Sequence, residues 1–239
     1  MTEIYEQIKL NYRLTLEQIR NLCEKNQRDP ESVKLVVVTK RQPVDKMKAV
    51  IEAGAKYLGE NYAEEAVEKM QLLSDYRNVE WHIIGHVQSR KAGLVAEHFN
   101  MIHSLDSLKL TIKLNVRLSE LGKTLPTLLE VNIAGEESKS GWSVTEDEDR
   151  KQFRLSINEI QKYNSLEIKG LMTMPPLSAD PDETRRYFRK TKMLLSDLNE
   201  IYGTHWTELS MGTSSDFSTA IEEGATIVRI GQAIMGPRI

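Results

Sequence analysis

Leu35-Val36-Val37-Val38-Thr39-Lys40 is an apolar run that closes on a cation. Strand periodicity puts Val36, Val38 and Lys40 on one face and Val37 with Thr39 on the other. Similar short runs rich in Val and Ile recur at 57–61, 81–85, 101–105, 128–133, 168–174, 208–212 and 227–231. Each is followed by a longer stretch of helical periodicity, an alternation that separates βα units from hairpins. The helical stretches include 45–53, 63–73, 89–98, 146–163, 182–201 and 217–223, and several stop at a glycine such as Gly54, Gly203 or Gly224, as a left-handed helix cap requires.

Eight strands, seven intervening helices and one extra N-terminal helix fit a single (β/α)8 barrel. An open doubly wound sheet is the structural rival, because periodicity does not report closure. The strand count and the lack of a Gly-x-Gly-x-x-Gly turn after the first strand favour the barrel. One domain is expected over 1–239, with 175–181 as a loop at the barrel top, not a linker.

The 239 residues carry 40% hydrophobic and 28% charged side chains, ordinary for a folded globule, and the mean hydropathy of -0.44 argues against a membrane span. Net charge is -3 with neither sign gathered into a block, so no nucleic-acid partner is expected. One cysteine, Cys23, excludes an internal disulfide, and the N-terminus has no signal-like apolar region; both point to the cytoplasm. Cys23 reads as a packing residue on an amphipathic first helix, in a stripe with Ile4, Ile8, Tyr12, Leu16 and Ile19.

In a closed barrel the C-terminal ends of the strands form the functional face, so polar residues there carry weight. Lys40 is the first: an amine in the upper layer, partly desolvated, is suited to attack an aldehyde, or it is a lysine reaching solvent. Ser210-Met211-Gly212-Thr213-Ser214-Ser215-Asp216 is the second. Its glycine, hydroxyls and helix-start amides are the parts of a phosphate site, or of an ordinary helix cap. Asp216 fits an anion site only if it turns outward. Arg229 is the third, a permanent charge facing inward with Gly231, which needs a ligand or a carboxylate such as Glu60 or Glu130. Gly231 opens a second glycine-bounded turn ending at Gly236, beside the seventh-strand loop, where barrels commonly bind phosphate.

An aldehyde-seeking lysine, a phosphate cradle and a partner for a ring nitrogen are what a protein supplies to pyridoxal phosphate. Through Val-Val-Thr-Lys at 37–40, Gly-Glu-Asn-Tyr at 59–62, Trp-His-Ile-Ile-Gly at 81–85 with Gln88 and Lys91, Ser-Lys-Ser-Gly at 138–141, Gly-Leu-Met-Thr-Met at 170–174, Leu-Ser-Met-Gly at 209–212 and Val-Arg-Ile-Gly at 228–231, the chain resembles the pyridoxal phosphate homeostasis protein family. That resemblance implies pyridoxal 5′-phosphate held as an internal aldimine on Lys40 and Arg229 facing the pyridine nitrogen. It implies a phosphate cradle of Ser210, Gly212, Ser214, Gly231 and the Gln232 amide, with Asn61, His82 and Met172 lining the pocket. The chain departs from the family pattern at Arg90 and Thr213.

The family in turn is similar to the N-terminal barrel of alanine racemase, where a tyrosine from an added domain supplies a second acid/base. A chain ending at Ile239 is expected to lack it, and an arginine at the ring nitrogen disfavours the protonation that helps the cofactor absorb carbanion electrons. The expected function is therefore a cofactor carrier in vitamin B6 and amino-acid homeostasis, a monomer serving apo-enzymes. A slow racemase using His82 or Tyr62 is the alternative, and a barrel enzyme for sugar phosphates a further one. The histidines at 82, 86, 98, 103 and 205 are read as including no H-x-x-x-H pair or acidic cluster at ligand spacing, so no metal is expected.

Overall fold

A computed structural model describes residues 2–136, 138–176 and 180–237. In chain order it contains α1 (Thr2–Lys25), β1 (Lys34–Val38), α2 (Val44–Glu52), β2 (Tyr57–Glu60), α3 (Ala63–Leu72), β3 (Glu80–Ile83), α4 (Ala92–His98), β4 (Met101–Leu105) and α5 (Leu108–Glu120). There follow β5 (Leu125–Asn132), β6 (Trp142–Ser143), α6 (Asp147–Ile160), β7 (Leu166–Met172), α7 (Pro181–Tyr202), β8 (Glu208–Ser210), α8 (Phe217–Glu222), β9 (Ile227–Ile230) and α9 (Gln232–Met235).

The sheet runs β4-β3-β2-β1-β9-β8-β7-β5 and closes through β4 on β5, with every pairing parallel. The barrel is thus the closed one, not the open rival. Two elements lie outside the expectation. The two-residue β6 pairs only with the end of β5 and is too short to show a period. The four-residue α9 stands where the sequence reading placed only a glycine-bounded turn, whereas α5, the seventh intervening helix, counted but given no bounds, has its buried Leu110, Leu114 and Leu118 at i, i+4, i+8. Of the loop at 175–181, residues 177–179 lie outside the described residues.

Strand alternation builds two cores. Val37, Leu58, Ile83, Ile102, Leu129, Leu171, Leu209, Val228 and Ile230 face outward into one continuous core with the helices. Val36, Met101, Leu128, Met172 and Ile227, with Tyr57, fill the interior. The interior apolar cluster is small because His82, His103, Ser210 and Arg229 occupy the other inward positions, each 5% exposed or less. Gly170 lets β7 pass β8: a Cβ there would sit 1.9 Å from the Glu208 carbonyl oxygen. A register shift between Thr127 and Leu128 lies opposite this point.

On α1 the buried line is Ile8, Tyr12, Thr15, Ile19 and Cys23, whereas Ile4 and Leu16 are exposed. The expected stripe drifted because steps of four overshoot a 3.6-residue turn. Leu16 lies about 80° round from Ile8, while Thr15 lies within about 20°. The helix packs on α2, α8 and α9, and beyond its end Arg28 donates to the carbonyls of Ile221 and Ala225, each at 2.7 Å, completing the C-terminal end of α8. Among the described residues no helix is long and apolar enough to cross a membrane.

Candidate functional site

The C-terminal ends of the strands surround a cleft of about 690 Å³. Lys40, Asn61, Met172, Ser214, Arg229, Gly231 and Gln232 line it, together with Glu130, Asn132, His86 and the Ser138 to Ser140 segment. Gly212 lies one step away, in an adjoining pocket with Thr213, Asp216 and Arg229. His82 and Ser210 do not reach the cleft; they are buried below it inside the barrel.

Lys40 leaves β1 on the inward face, as alternation with Val36 and Val38 requires. Its neighbours fix the peptide that carries it. The Thr39 N–H donates to the Gly59 carbonyl at 3.0 Å, the Thr39 hydroxyl to Glu60 at 2.7 Å, and the Thr39 carbonyl accepts from Lys69 Nζ at 2.9 Å. Lys69 also pairs with Glu60 at 2.8 Å and Glu65 at 2.6 Å. After Lys40 the chain turns through Arg41 at φ +57, where the Arg41 N–H donates to Glu65 at 2.8 Å. Lys69 was not anticipated; the available signal was a cation three residues after Ala66 on the buried face of α3.

This arrangement also settles Glu60. Leu58 and Glu60 share the outward face, so the Glu60 carboxylate meets α3 and not Arg229, contrary to one of the two partners expected. Burial pushes the Glu60 carboxyl up even with Lys69 beside it.

The two glycine-rich turns meet as expected. Gly212 sits at φ +94, and a Cβ there would lie 2.6 Å from the Ala220 Cβ, so only glycine carries the chain this close to α8. The Gly212 carbonyl accepts from the Arg229 N–H at 2.9 Å, and the Ser214 hydroxyl accepts from the Ala233 N–H at 3.3 Å, which joins the loop to the first turn of α9. A Cβ on Gly231 would press on Val38 at 3.1 Å. Asp216 does not turn outward: its carboxylate accepts from the Thr213 N–H at 2.6 Å and hydroxyl at 2.9 Å, closing the loop on itself. That engagement keeps its charge on its own loop.

Arg229 is 5% exposed and donates through Nη1 to Ser210 Oγ at 2.6 Å and through Nη2 to the Thr173 carbonyl at 3.0 Å. Its acceptors are thus a hydroxyl and a carbonyl in place of a carboxylate, and burial lowers its pKa to about 10. Glu130 stands near enough to oppose that shift, but its Oε2 has no hydrogen-bond partner among the described residues. Burial first, and then the charge of Asp106, raise the Glu130 pKa to about 7. At the rim, His86 Nδ1 lies 2.6 Å from Asp106 Oδ2.

Ser210 thus lies below the cleft, where it accepts from Arg229. It contacts His103 Nδ1 at 2.8 Å, and His103 Nε2 contacts His82 Nδ1 at 3.0 Å. Burial lowers the pKa of both histidines, so both are neutral near pH 7. His103 was missed, although it alternates inward with Met101 on β4. Contrary to the reading of the histidines from the sequence, His82 and His86 do form an H-x-x-x-H pair, a spacing that joins metal ligands on a helix, but strand and loop send them to different places. No group of metal-binding side chains is formed among the described residues.

A lysine, an arginine and a glycine-rich double turn at the mouth of a closed parallel barrel define a class, the barrels of the alanine racemase type. The family model "Alanine racemase, N-terminal domain" matches residues 15–238. An alanine racemase of Clostridium difficile superposes with a TM-score of 0.73 at 17% identity, over 94% of this chain and 56% of that one, which is a likeness of fold. More similar relatives carry a narrower name. A "Pyridoxal phosphate homeostasis protein" of Vibrio alginolyticus is 41% identical over 235 residues, 97% of either chain. One of Synechocystis is 37% identical over 210 residues, 88% of this chain and 94% of its own. PipY of Synechococcus elongatus, solved with pyridoxal phosphate bound, matches with a TM-score of 0.80 at 32% identity over 91% of this chain and 99% of its own. The chain belongs to the pyridoxal phosphate homeostasis protein family, a branch of the alanine racemase N-terminal domain family.

Proposed function

We propose that this chain binds pyridoxal 5′-phosphate covalently through Lys40 and holds it in reserve for vitamin B6 and amino-acid homeostasis, with little turnover of its own. The observation that carries the reading is that Lys40, Arg229 and the Ser214–Gln232 edge line one cleft from strand ends that are neighbours in the ring. The residues fit the group. Lys40 offers an amine for its aldehyde, and Ser214 with the amides beside Gly231 and Gln232 offers donors for its phosphate. Arg229 offers a cation to its ring, and the glycines at 212 and 231 let the two turns close tightly on α8 and on Val38, which brings their amides to one edge of the cleft.

When bound, the cofactor supplies an electron sink for amine-bearing substrates. Arg229, tied to two acceptors and positively charged at neutral pH, disfavours a proton on the ring nitrogen and so weakens that sink. The side chains expected as a second base for racemisation support this reading too. His82 is buried beneath Arg229, and Tyr62 does not line the cleft but lies under the Arg41 guanidinium, 5.7 Å from its ring centre. In this reading the chain works as a cytoplasmic monomer and passes the cofactor to apo-enzymes.

The test is direct. Protein mixed with the cofactor should gain a visible absorbance band, and borohydride should fix the cofactor on the peptide containing Lys40. A protein that takes up none, with Lys40 unmodified, overturns the reading.

A further inference from the structure

Beneath the cleft four side chains form one line: His82 Nδ1 to His103 Nε2 at 3.0 Å, His103 Nδ1 to Ser210 Oγ at 2.8 Å, and Ser210 Oγ to Arg229 Nη1 at 2.6 Å. All four are nearly inaccessible, at 5% exposure or less, and of the ring and hydroxyl atoms in the line only His82 Nε2 lacks a hydrogen-bond partner among the described residues. A neutral imidazole donates from one ring nitrogen and accepts at the other, so the line can run in either of two directions.

Both ends select the same one. At the top, a guanidinium only donates, so Ser210 Oγ accepts from Arg229 and must send its own proton elsewhere. His103 Nδ1 is the acceptor in reach among the described residues. Were that nitrogen protonated, the serine proton would be buried without a partner. His103 then carries its proton on Nε2 and donates to His82 Nδ1, leaving His82 protonated on Nε2. At the bottom, His82 Nε2 makes no hydrogen bond among the described residues and lies 3.8 Å from the Glu80 carboxylate, close enough for the carboxylate's charge to act on it. An N–H there is attracted to the carboxylate, whereas the reverse direction would aim a lone pair at it.

We infer that His103, acting through Ser210, is a positioning residue that fixes the Arg229 guanidinium at the cleft floor, with both histidines held as neutral Nε2–H tautomers. The inference rests on the reading of Arg229 as the group that faces the cofactor ring. It also explains why Arg229 does not simply fold onto Glu130. That carboxylate lines the same cleft and its Oε2 is unpartnered, so it is the acceptor to which a released guanidinium would turn.

Two measurements test it. In cofactor-free protein labelled with 15N-histidine, the nitrogen shifts should show His103 and His82 protonated on Nε2 alone; a proton on His103 Nδ1 overturns the inference. This result stands whether or not the protein binds the cofactor, so it separates failure here from failure of the functional reading. In the second, His103→Leu should weaken pyridoxal phosphate binding about tenfold. His103→Gln, whose amide can accept from Ser210 and donate to His82, should stay within about threefold of the parent. Equal losses in the two variants, or none in either, would mark His103 as core filling only and overturn the inference.

Discussion

Replacing Lys69 by methionine should be among the most damaging single changes in the molecule, and its damage should depend on pH in a defined direction. Lys69 Nζ holds Glu60 at 2.8 Å, Glu65 at 2.6 Å and the Thr39 carbonyl at 2.9 Å, with the lysine side chain 8% exposed and that of Glu60 fully buried. Methionine replaces most of the apolar stem, so the loss is mainly electrostatic. Removing one partner of a buried pair costs about 3–5 kcal/mol, because the other charge stays behind. In a chain of this length that lowers the melting temperature by about 6–20 °C.

Burial already holds the Glu60 carboxyl above its ordinary range, and losing Lys69 raises it further. A carboxyl whose folded pKa exceeds its unfolded value lets the unfolded chain ionise first as pH rises. Stability therefore falls from about pH 4 up to the folded value, and the deficit of the variant should be smallest in acid. Urea unfolding between pH 4.5 and 8 measures this, and adding Glu60→Gln to Lys69→Met should recover more than half of the loss at pH 8. A deficit under about 1 kcal/mol at pH 8, or one that does not shrink towards acid, would refute the argument.

Three further outcomes are expected. Glu130, with a folded pKa of about 7, should make the parent lose stability as pH rises from about 4.5 to 7; Glu130→Gln should be flatter and more stable at pH 8 by up to about 3 kcal/mol, read from denaturation curves across pH. Gly170→Ala forces a Cβ to 1.9 Å from the Glu208 carbonyl and should cost about 3 kcal/mol or more, or abolish soluble expression; a melting temperature equal to the parent's would contradict the strand approach. Cys23 is wholly buried and its thiol is pushed up by burial, so a thiol-reactive dye should label it only after unfolding; rapid labelling of the native protein would contradict its place on the buried face of α1.

The barrel was legible because eight Val- and Ile-rich runs each preceded a helix, and the inward face of β1 was legible because Val36, Val38 and Lys40 share one parity. The same parity placed Arg229 inward and Val228 with Ile230 outward, and the structure agrees. What parity does not supply is depth. Ser210 and His82 have the right facing for the pocket but lie a layer below it, and only the closed ring shows that Ser210 meets Arg229 across neighbouring strands. Partners across the sheet were equally hidden: Glu60 was a reasonable acceptor for Arg229 until its outward face brought it to Lys69 on α3. Asp216 was misjudged because a free anion site was assumed, whereas the nearest N–H and hydroxyl, those of Thr213, were three residues away.

These corrections bear on why a barrel would carry two buried cations close to one reactive lysine. Lys69 lies outside the ring and pins the peptide of Thr39; Arg229 lies inside and is pinned by Ser210 and the Thr173 carbonyl. Each is held by at least two groups outside its own element, Glu60 and the Thr39 carbonyl for Lys69 and Ser210 and the Thr173 carbonyl for Arg229. If Lys40 is the covalent tether proposed above, it gains nothing from a mobile setting, since the amine and the Arg229 charge would have to keep their separation through uptake and release. The loop side is built differently: Ser214 accepts from the Ala233 N–H of α9 at a long 3.3 Å and Met174 at the cleft edge is half exposed. In the proposed function, the buried floor would define the ligand and the rim would be the side through which it passes.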